Sequence, residues 1–405
     1  MKPKTFMLIA GEASGDLLAA ELVQALRQEF AEAPPPPATD LQPLLASLAP
    51  RFFGAGGPRM AAAGVEVACD MTAHSVIGLS AALKKYLIFR RLFLQLSKLA
   101  LERQPDAIIC VDFAYFNRRF AHAVRHFARG RTGWFHDWRP KLIQYVSPQV
   151  WASREGRAYS IARDFDLLLS IFPFEKEWYA KRVPKFHVEF VGHPLVGRYA
   201  TKPAPDAAGT VATVLLLPGS RPGELGRHLP ILGETARRIA AERKVRFQMV
   251  LPHESLRENL RPFEPGFPQL QIQIGRLPDA LSGATVAITK SGTITLECAF
   301  FGLPAVVFYK TSLMTYLVGR RVVKVKHIAM PNLLANQAVY PEFIQGAATA
   351  ENLARATLAL LDNPHRRAEV KARLSEIVAQ LGGPGASRRA AKAIMRLLDA
   401  PEDAR

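Results

Sequence analysis

The chain has 405 residues, 49% of them hydrophobic, which is long for one hydrophobic core and predicts two globular domains. Its 53 lysines and arginines against 35 aspartates and glutamates give a net charge of +18, which favours anionic partners: nucleic acid, phosphate-bearing small molecules or anionic lipid. Three scattered cysteines, Cys69, Cys110 and Cys298, argue against a disulfide framework and a zinc site, and no apolar run reaches the roughly 18 residues of a transmembrane helix.

The first predicted element is a strand at residues 6–10, FMLIA, followed by the turn GEASGD and a helix through about Phe30. Because the apolar run is short and leads into glycine and acids, it indicates a strand of a cytoplasmic domain and not a signal peptide. Glycines permit close backbone approach and a helix start favours anions, so the turn is a candidate ligand site. Its candidate contacts are Gly11, Glu12, Ser14, Gly15 and Asp16. The alternative is a tight turn without a ligand, since the sequence is not GxGxxG.

Apolar runs separated by turns and helical patterns continue along the chain, which indicates βαβ units and parallel sheets. The further predicted strands are RFFGAGG, AIICVD, KLIQYVS, LLLSIFP and VEFVG in the first half, and VATVLLLPGSR, VRFQMVLP, LQIQIG, TVAITKSGT and PAVVFYK in the second. Residues 199–210 form the predicted linker, and residues 33–40 and 129–141 are predicted surface insertions.

These patterns predict two similar α/β domains, at 1–200 and 209–380. A last helix within 381–405 either packs back on the first domain or exchanges with a partner chain in a homodimer; both alternatives stay open.

The segment 76–102 differs from the rest because it is apolar nearly all round, with Lys84, Arg91 and Lys98 forming a basic ridge every seven residues. A core helix with solvated charges is one interpretation. An interfacial helix that contacts acyl chains and an anionic membrane surface is the other, and the net charge favours it. The predicted membrane contacts are Leu83, Lys84, Leu87, Phe89, Arg91, Leu92 and Phe93.

The apolar run at residues 107–111 ends on a single acid, Asp112. A carboxylate at the end of a buried strand is partly desolvated, which raises its affinity for a proton and suits a general base. Capping of the helix that follows is the alternative role.

The run LLLPGSRPGE ends a buried strand where open α/β sheets bind ligands. Gly219 and Ser220 offer unhindered backbone N–H groups, Arg221 offers a forked cation for phosphate oxygens, and Glu224 opens a helix.

The segment TKSGTITLE repeats this arrangement before another predicted helix. Ser291, Gly292 and Thr293 are candidate diphosphate contacts, and Glu297 could accept two hydrogen bonds from a ribose diol. Asn332 and Asn336 are predicted to lie in a loop over the base or sugar.

The remaining polar signals are weaker. Asp164-Phe165-Asp166 matches the DxD pattern of some metal-dependent sugar-nucleotide enzymes, but carboxylates at element ends explain it better. His193 is a candidate polar contact at an interdomain cleft, and the histidine spacing suggests no metal site. No metal and no cofactor are predicted.

Several of these motifs together resemble the lipid-A-disaccharide synthase family. They are AGEASGD, FGAGGPRM, the block YVSPQVWASREGRAYSIARDFDLLLSIFPFEKEWY that contains Ser147, FVGHPL, LLPGSR with Glu224, SGTITLEC and MPNLLAN, in the family's order over most of the chain. The resemblance implies a GT-B fold, with two Rossmann-like parallel-sheet domains facing a central cleft. It also implies an inverting hexosyltransferase that needs no metal and moves 2,3-diacylglucosamine from UDP to the 6-hydroxyl of 2,3-diacylglucosamine 1-phosphate.

The resemblance assigns roles to particular residues. Asp112 matches the position of the family's proposed base, and Asn117 matches the asparagine of the family's Phe-Asn pair. Tyr115 stands where the family has a second acid. The replacement of the second acid leaves two consequences open: a changed preference for acceptor or acyl chain, or a loss of activity. Arg221 and the helix start after Lys290 would neutralise the leaving UDP.

The implied partners are the two acylated sugars and an anionic membrane surface, with no nucleic acid, and the implied location is the cytoplasmic face of the inner membrane. Two rivals remain: another GT-B enzyme with a lipid acceptor, and a non-catalytic basic protein that binds lipid or nucleic acid.

Overall fold

The computed structural model describes residues 3–32, 49–72, 82–130, 137–199 and 211–400, with only the backbone described at 82–86. The chain divides into two compact units, Met1–Pro194 together with Gly383–Arg405, and Leu195–Gly382. The predicted insertion at 33–40, part of that at 129–141 and nearly all of the predicted linker lie outside the described residues.

The first unit is built on a parallel sheet of seven strands in the order β3-β2-β1-β4-β5-β6-β7. All five residues of β4 are buried, as expected of a strand covered on both faces of a parallel sheet. The strands are β1 (Thr5–Ala10), β2 (Arg51–Gly56), β3 (Glu66–Asp70), β4 (Ala107–Val111), β5 (Lys141–Tyr145), β6 (Leu167–Ser170) and β7 (Val188–Phe190).

Helices connect these strands. They are α1 (Ala13–Glu32), α2 (Pro58–Ala62), α3 (Ala82–Arg103), α4 (Ala114–Gly130), α5 (Val150–Ser153), α6 (Arg157–Asp164) and α7 (Pro173–Ala180). Side chains of α3 and α4, such as Leu96 and Phe120, share one core with Met7 and Ile108 of the sheet.

The second unit repeats the design with a parallel sheet of six strands in the order β10-β9-β8-β11-β12-β13. Its strands are β8 (Thr213–Leu217), β9 (Arg246–Leu251), β10 (Leu270–Ile274), β11 (Val286–Lys290), β12 (Ala305–Tyr309) and β13 (Glu342–Ile344). Its α-helices are α8 (Leu195–Arg198), α9 (Pro222–Glu242), α10 (Arg257–Leu260), α11 (Leu277–Gly283), α12 (Ile294–Phe300), α13 (Leu313–Val322), α14 (Met330–Ala335), α15 (Ala350–Asp362) and α16 (Pro364–Ala379), and 3₁₀ turns lie at Glu254–Leu256, Arg261–Gly266 and Gln345–Ala347.

The last helix, α17 (Ala386–Asp399), returns to the first unit, where it packs on α1, β5 and β6. Ile394 is fully buried there, and Arg388 forms ion pairs with Glu29 and Glu32 of α1. The helix therefore closes the first unit with residues from the other end of the chain.

The predicted pair of Rossmann-like parallel-sheet domains is confirmed, and the strands that the apolar runs predicted are present. The pattern missed the short edge strands β3 and β13, which contain charged and half-exposed residues in place of an apolar run. In the described part of the chain, no helix has the length and apolarity needed to cross a membrane.

Candidate active site

The carboxyl ends of β1 and β4 meet at the centre of the first sheet, where the strand order reverses. Open α/β sheets bind ligands at such a switch point. The GEASGD turn follows β1 and Asp112 follows β4, and a Cβ atom on Gly15 would lie 3.8 Å from that of Asp112. The structure thus brings two of the predicted candidate segments together.

The backbone at Asp112 is strained. Asp112 and Phe113 have φ values of 50° and 44°, in the left-handed region that non-glycine residues rarely enter. The Asp112 carbonyl accepts hydrogen bonds from Asn117 Nδ2 at 2.8 Å and Gln144 Nε2 at 3.3 Å. These contacts hold the strained turn, which directs the Asp112 side chain away from the regular strand geometry.

The environment of Asp112 stabilises the protonated form of its carboxyl group relative to the same group in water. Burial raises the pKa of its carboxyl above the usual value, the negative charge of Glu12 raises it further, and the Phe113 N–H opposes both. A raised pKa strengthens a carboxylate as a base near neutral pH.

Gln144 was not among the residues predicted from the sequence. Its buried amide also donates to the carbonyl of Val146, which has φ of 70° at the end of β5. Gln144 thereby links the strained ends of two neighbouring strands. A lone amide inside the apolar run KLIQYV was the available signal.

Two predicted substrate contacts of the first unit have structural roles instead. The buried Asp16 carboxylate accepts the N–H groups of Gly57, Arg59 and Met60, so it fixes the start of α2. Asn117 is fully buried and donates to carbonyls around Asp112. The Asp16 carboxylate is used by the fold and the Asn117 side chain is closed off from solvent, which corrects the prediction of direct contact.

The other candidates of this unit differ in accessibility. Glu12 and Ser14 are exposed beside Asp112, whereas Gly11 lies under the ring of Phe113, which a Cβ atom there would meet at 2.3 Å. His193 is half-buried, with its ring 5.5 Å from that of Phe172.

Ser147 belongs to a buried polar cluster and not to an open surface, which corrects its prediction as a substrate contact. Glu175 accepts hydrogen bonds from the indole of Trp151 at 2.9 Å and from the Phe172 N–H at 3.3 Å, and the Ser147 hydroxyl contacts it. Burial raises the pKa of Glu175 to about 7. The VSPQVWA and PFEKEWY motifs therefore meet in the interior.

The two carboxylates of the DxD pattern form ion pairs with arginines of this chain. Asp164 pairs with Arg163 at 2.8 Å and lies 3.2 Å from His122. Asp166 pairs with Arg125 at 2.7 Å and accepts the Leu142 N–H. Asp164 ends α6 and Asp166 precedes β6, so both acids lie at element ends, as the preferred interpretation of the sequence expected.

Helix α3 has one core face and one exposed face. Leu92 is buried, so the prediction that it contacts acyl chains is corrected. Phe89 and Phe93 are half-buried and pack against Phe116, and their contact with acyl chains stays a prediction. Leu87 is 52% exposed and Arg91 is also exposed. The side chains of Leu83 and Lys84 lie outside the described residues.

The second unit has a cavity of about 260 Å³ at the matching switch point, between the carboxyl ends of β8 and β11. Its lining combines backbone of a glycine turn, one cation, one acid and an apolar rim. The lining residues are Leu217, Gly219, Ser220, Val250, Pro252, Gly275, Leu277, Lys290, Thr293, Ile294 and Glu297.

Glu224 shapes the cavity from below. Gly219 has φ of 126°, and a Cβ atom there would lie 2.5 Å from Glu224 Oε2, so the turn requires glycine. The same carboxylate accepts the Ser220 N–H at 3.3 Å and pairs with Lys290 at 3.2 Å. Glu224 thus holds the phosphate-binding candidates in place.

Lys290 is the cation that lines the cavity, and it was absent from the predicted contacts. It ends β11, and its Nζ atom would lie 3.6 Å from a Cβ atom on Gly292. A lysine that ends an otherwise apolar strand was the signal that could have identified it.

Glu297 is held by a residue far away in the sequence. The Tyr199 hydroxyl donates to Glu297 Oε2 at 2.9 Å, and the Tyr199 ring packs against Phe300 and Phe301. Burial raises the pKa of the Glu297 carboxyl, while the Tyr199 hydrogen bond lowers it. The acid is therefore oriented towards the cavity by a tyrosine.

The other predicted contacts of this unit lie around the cavity or inside the fold. Arg221 is 71% exposed and 3.6 Å from Glu224, outside the lining. Ser291 donates its hydroxyl to the Ile328 carbonyl. Asn332 is fully buried in α14, where it bonds to Tyr340 and Glu342, so the prediction that it lies in a loop is wrong. Asn336 is exposed at the end of that helix.

The fold resembles that of solved structures at low sequence identity. A UDP-N-acetylglucosamine 2-epimerase structure from Listeria monocytogenes matches with a TM-score of 0.64 at 15% identity, covering 99% of this chain and 98% of that one. The structure of MurG from Acinetobacter baumannii matches with a TM-score of 0.54 at 12% identity, covering 97% and 100%.

Sequence comparisons are more specific. Lipid-A-disaccharide synthases from Syntrophus aciditrophicus and Geobacter metallireducens are 34% and 36% identical, each over 98% of this chain and over 99% and 97% of their own lengths. The family model described as lipid-A-disaccharide synthetase matches residues 6–396. The chain therefore belongs to the lipid-A-disaccharide synthase family of glycosyltransferases.

Proposed function

We propose that this protein joins two acylated sugars, transferring 2,3-diacylglucosamine from UDP to the 6-hydroxyl of 2,3-diacylglucosamine 1-phosphate with inversion and release of UDP. The observation that carries the proposal is the cavity of the second unit, where a glycine turn, Lys290 and Glu297 converge at a sheet switch point. The family relationship supports the choice of sugar and acceptor.

The cavity offers a partner to each part of a uridine diphosphate. The backbone at Gly219 and the ammonium of Lys290 suit the diphosphate, and Glu297 suits the ribose hydroxyls. The apolar rim of Val250, Pro252 and Leu277 suits the face of a base. Lys290, together with Arg221 of the adjoining turn, would stabilise the negative charge that develops on the leaving UDP.

Asp112 is the proposed general base. As the acceptor oxygen attacks the anomeric carbon, its proton passes to the Asp112 carboxylate while the bond between that carbon and the UDP oxygen breaks. Burial and the charge of Glu12 raise the pKa of Asp112, which supports this role. Tyr115, 59% exposed and stacked with Arg119 at 4.7 Å, adjoins this acid and is a proposed determinant of acceptor preference.

The acylated substrates require contact with a lipid surface. We propose peripheral attachment to the cytoplasmic face of the inner membrane, with the exposed Leu87 and Arg91 of α3 among the contacts. A homodimer stays a prediction, which sedimentation equilibrium would test.

The purified protein, incubated with both acylated sugars, is expected to form the disaccharide and UDP in equal amounts, measured by mass spectrometry. Asp112→Asn should lower kcat by roughly 10²–10⁴-fold with little change in KM for the UDP-sugar, because only the proton acceptor is lost.

Asp106→Asn is the matched control, since Asp106 precedes the same strand at its opposite end and binds Thr5. It should leave turnover unchanged. Near-normal turnover of Asp112→Asn would rule out the base, and absence of disaccharide from the unmodified protein would rule out the reaction.

A further inference from the structure

Helix α13 presents an apolar face to solvent. Leu313, Met314, Leu317 and Val318 are 65%, 73%, 49% and 59% exposed, and none of the residues of α13 is buried. Their spacing of i, i+1, i+4 and i+5 places them on one side of the helix. The exposed large apolar residues of the described chain thus concentrate at this helix.

The helix does not need this face for its own formation. Ser312 caps its amino end by accepting the Thr315 N–H at 3.3 Å. Val323, directly after its last residue, is 45% exposed as well. Contiguous exposed apolar surface on a folded protein marks an interaction site.

The stretch of sequence that contains this face is basic. Between Glu297 and Glu342 the sequence contains no aspartate or glutamate. In the same stretch the carboxyl end of α13 and the segment after it carry exposed cations at Arg320, Arg321, Lys324 and Lys326. An apolar helix face bordered by exposed cations is the pattern of an interfacial helix.

We propose that α13 and the segment through Lys326 form a second lipid-docking surface, on the nucleotide-binding unit, that inserts its apolar face into an anionic leaflet while its cations bind lipid phosphates. Charge complementarity favours an anionic leaflet as the partner of this surface. Pairing of α13 with α13 of a second copy would bring like cations together, whereas an anionic leaflet neutralises them.

The inference deepens the proposed function and rests on it, because acylated sugars have to be reached at a lipid surface. It assigns membrane contact to a surface of the second unit in addition to α3 of the first. An enzyme that draws its UDP-linked lipid from a leaflet gains from lipid contact on the unit that binds UDP.

The test is sedimentation of the full-length protein with vesicles of phosphatidylcholine alone or mixed with phosphatidylglycerol. Arg320→Gln with Arg321→Gln should weaken binding to the anionic vesicles by roughly 30-fold, at about fivefold for each charge removed. Leu313→Ser, Met314→Ser and Leu317→Ser together should weaken binding to the same vesicles at least about tenfold.

Arg355→Gln, an exposed cation of α15 that pairs with Glu351, is the matched control and should bind like the unmodified protein. Calorimetric binding of UDP should be unchanged in every variant, which shows that the second unit is intact. Unchanged vesicle binding of both α13 variants would overturn the inference, as would a change of oligomeric state in place of lost lipid binding.

The outcome is separable from that of the proposed reaction. Lipid binding that depends on α13 without disaccharide formation would retain the docking surface and reject the reaction. Disaccharide formation together with vesicle binding that does not depend on α13 would retain the reaction and reject the docking surface.

Discussion

At the scale of single residues, the two candidate acids are controlled by neighbours that are not themselves reactive. Asp112 follows a buried strand and is held in a left-handed backbone by Asn117 and Gln144. Glu297 faces the cavity and is held by Tyr199. In both cases burial raises the pKa of the acid, and hydrogen bonds set its orientation.

Tyr199→Phe should weaken UDP binding roughly tenfold, because one hydrogen bond to a charged group is lost while the ring packing on Phe300 and Phe301 remains. UDP affinity should be full above the pKa of Glu297 and fall as pH drops through it. Since the tyrosine lowers that pKa, the fall should begin at a higher pH in the variant. Calorimetric titrations across pH would measure both effects.

The analogue 2′,3′-dideoxyuridine diphosphate distinguishes positioning from simple stability. It lacks the hydroxyls that Glu297 is proposed to bind, so Tyr199→Phe should change its affinity little. Tyr159→Phe, at an exposed residue of the first unit, is the control. An equal loss for UDP and the analogue would contradict the positioning role.

At the scale of elements, buried polar groups join helices that are distant in sequence. The Glu175 carboxylate of α7 accepts the indole N–H of Trp151 in α5 and lies near Ser147. Asp164 and Asp166 similarly join the end of α6 and the start of β6 to His122 and Arg125 of α4. The motifs that identify the family thus include residues that hold helices and strands in position.

Burial raises the pKa of Glu175 from its ordinary value near 4.5 to about 7, with a consequence for stability. Between these values the folded protein keeps a proton that the unfolded chain releases. The free energy of unfolding should therefore fall as pH rises through this window, and Glu175→Gln should flatten that slope. Urea unfolding at several pH values between about 4.5 and 8 would measure it.

Glu177→Gln is the control on the same helix. The Lys181 ammonium holds the pKa of the exposed Glu177 below its usual value, so it titrates below the window. A slope that persists in Glu175→Gln would mean that another group causes the pH dependence.

At the scale of the whole molecule, the chain crosses from the second unit back to the first. Helix α17 packs its buried Ala390, Ile394 and Leu397 on the first unit, and Arg389 donates to the Val191 carbonyl. The first unit is therefore complete only when the last residues of the chain have folded.

Ile394→Ala should destabilise the first unit by about 2–5 kcal/mol, because it leaves a cavity at a fully buried position. The four tryptophans all lie before residue 195, so intrinsic fluorescence during urea unfolding reports this unit. Calorimetric UDP binding, which reports the second unit, should be unchanged. Lys392→Ala, at an exposed position of the same helix, should shift the transition little, and equal shifts in both variants would contradict the packing role.

The sequence alone determined the two parallel α/β domains. A buried parallel strand requires an apolar run that ends in a turn, and such a run is a local pattern that can be seen in the sequence. It also placed Asp112, Gly219 and Glu297 at strand or helix ends, where ligands bind.

Only the tertiary structure decided which polar residues are saturated and which face a cavity. Asp16 and Asn332 resemble functional residues in the sequence, yet both are buried and accept backbone N–H groups, from a distant segment for Asp16 and from the following loop for Asn332. Lys290 with Glu224, and Tyr199 with Glu297, are pairs separated by long stretches of chain. Such pairings depend on three-dimensional packing, and no local pattern encodes them.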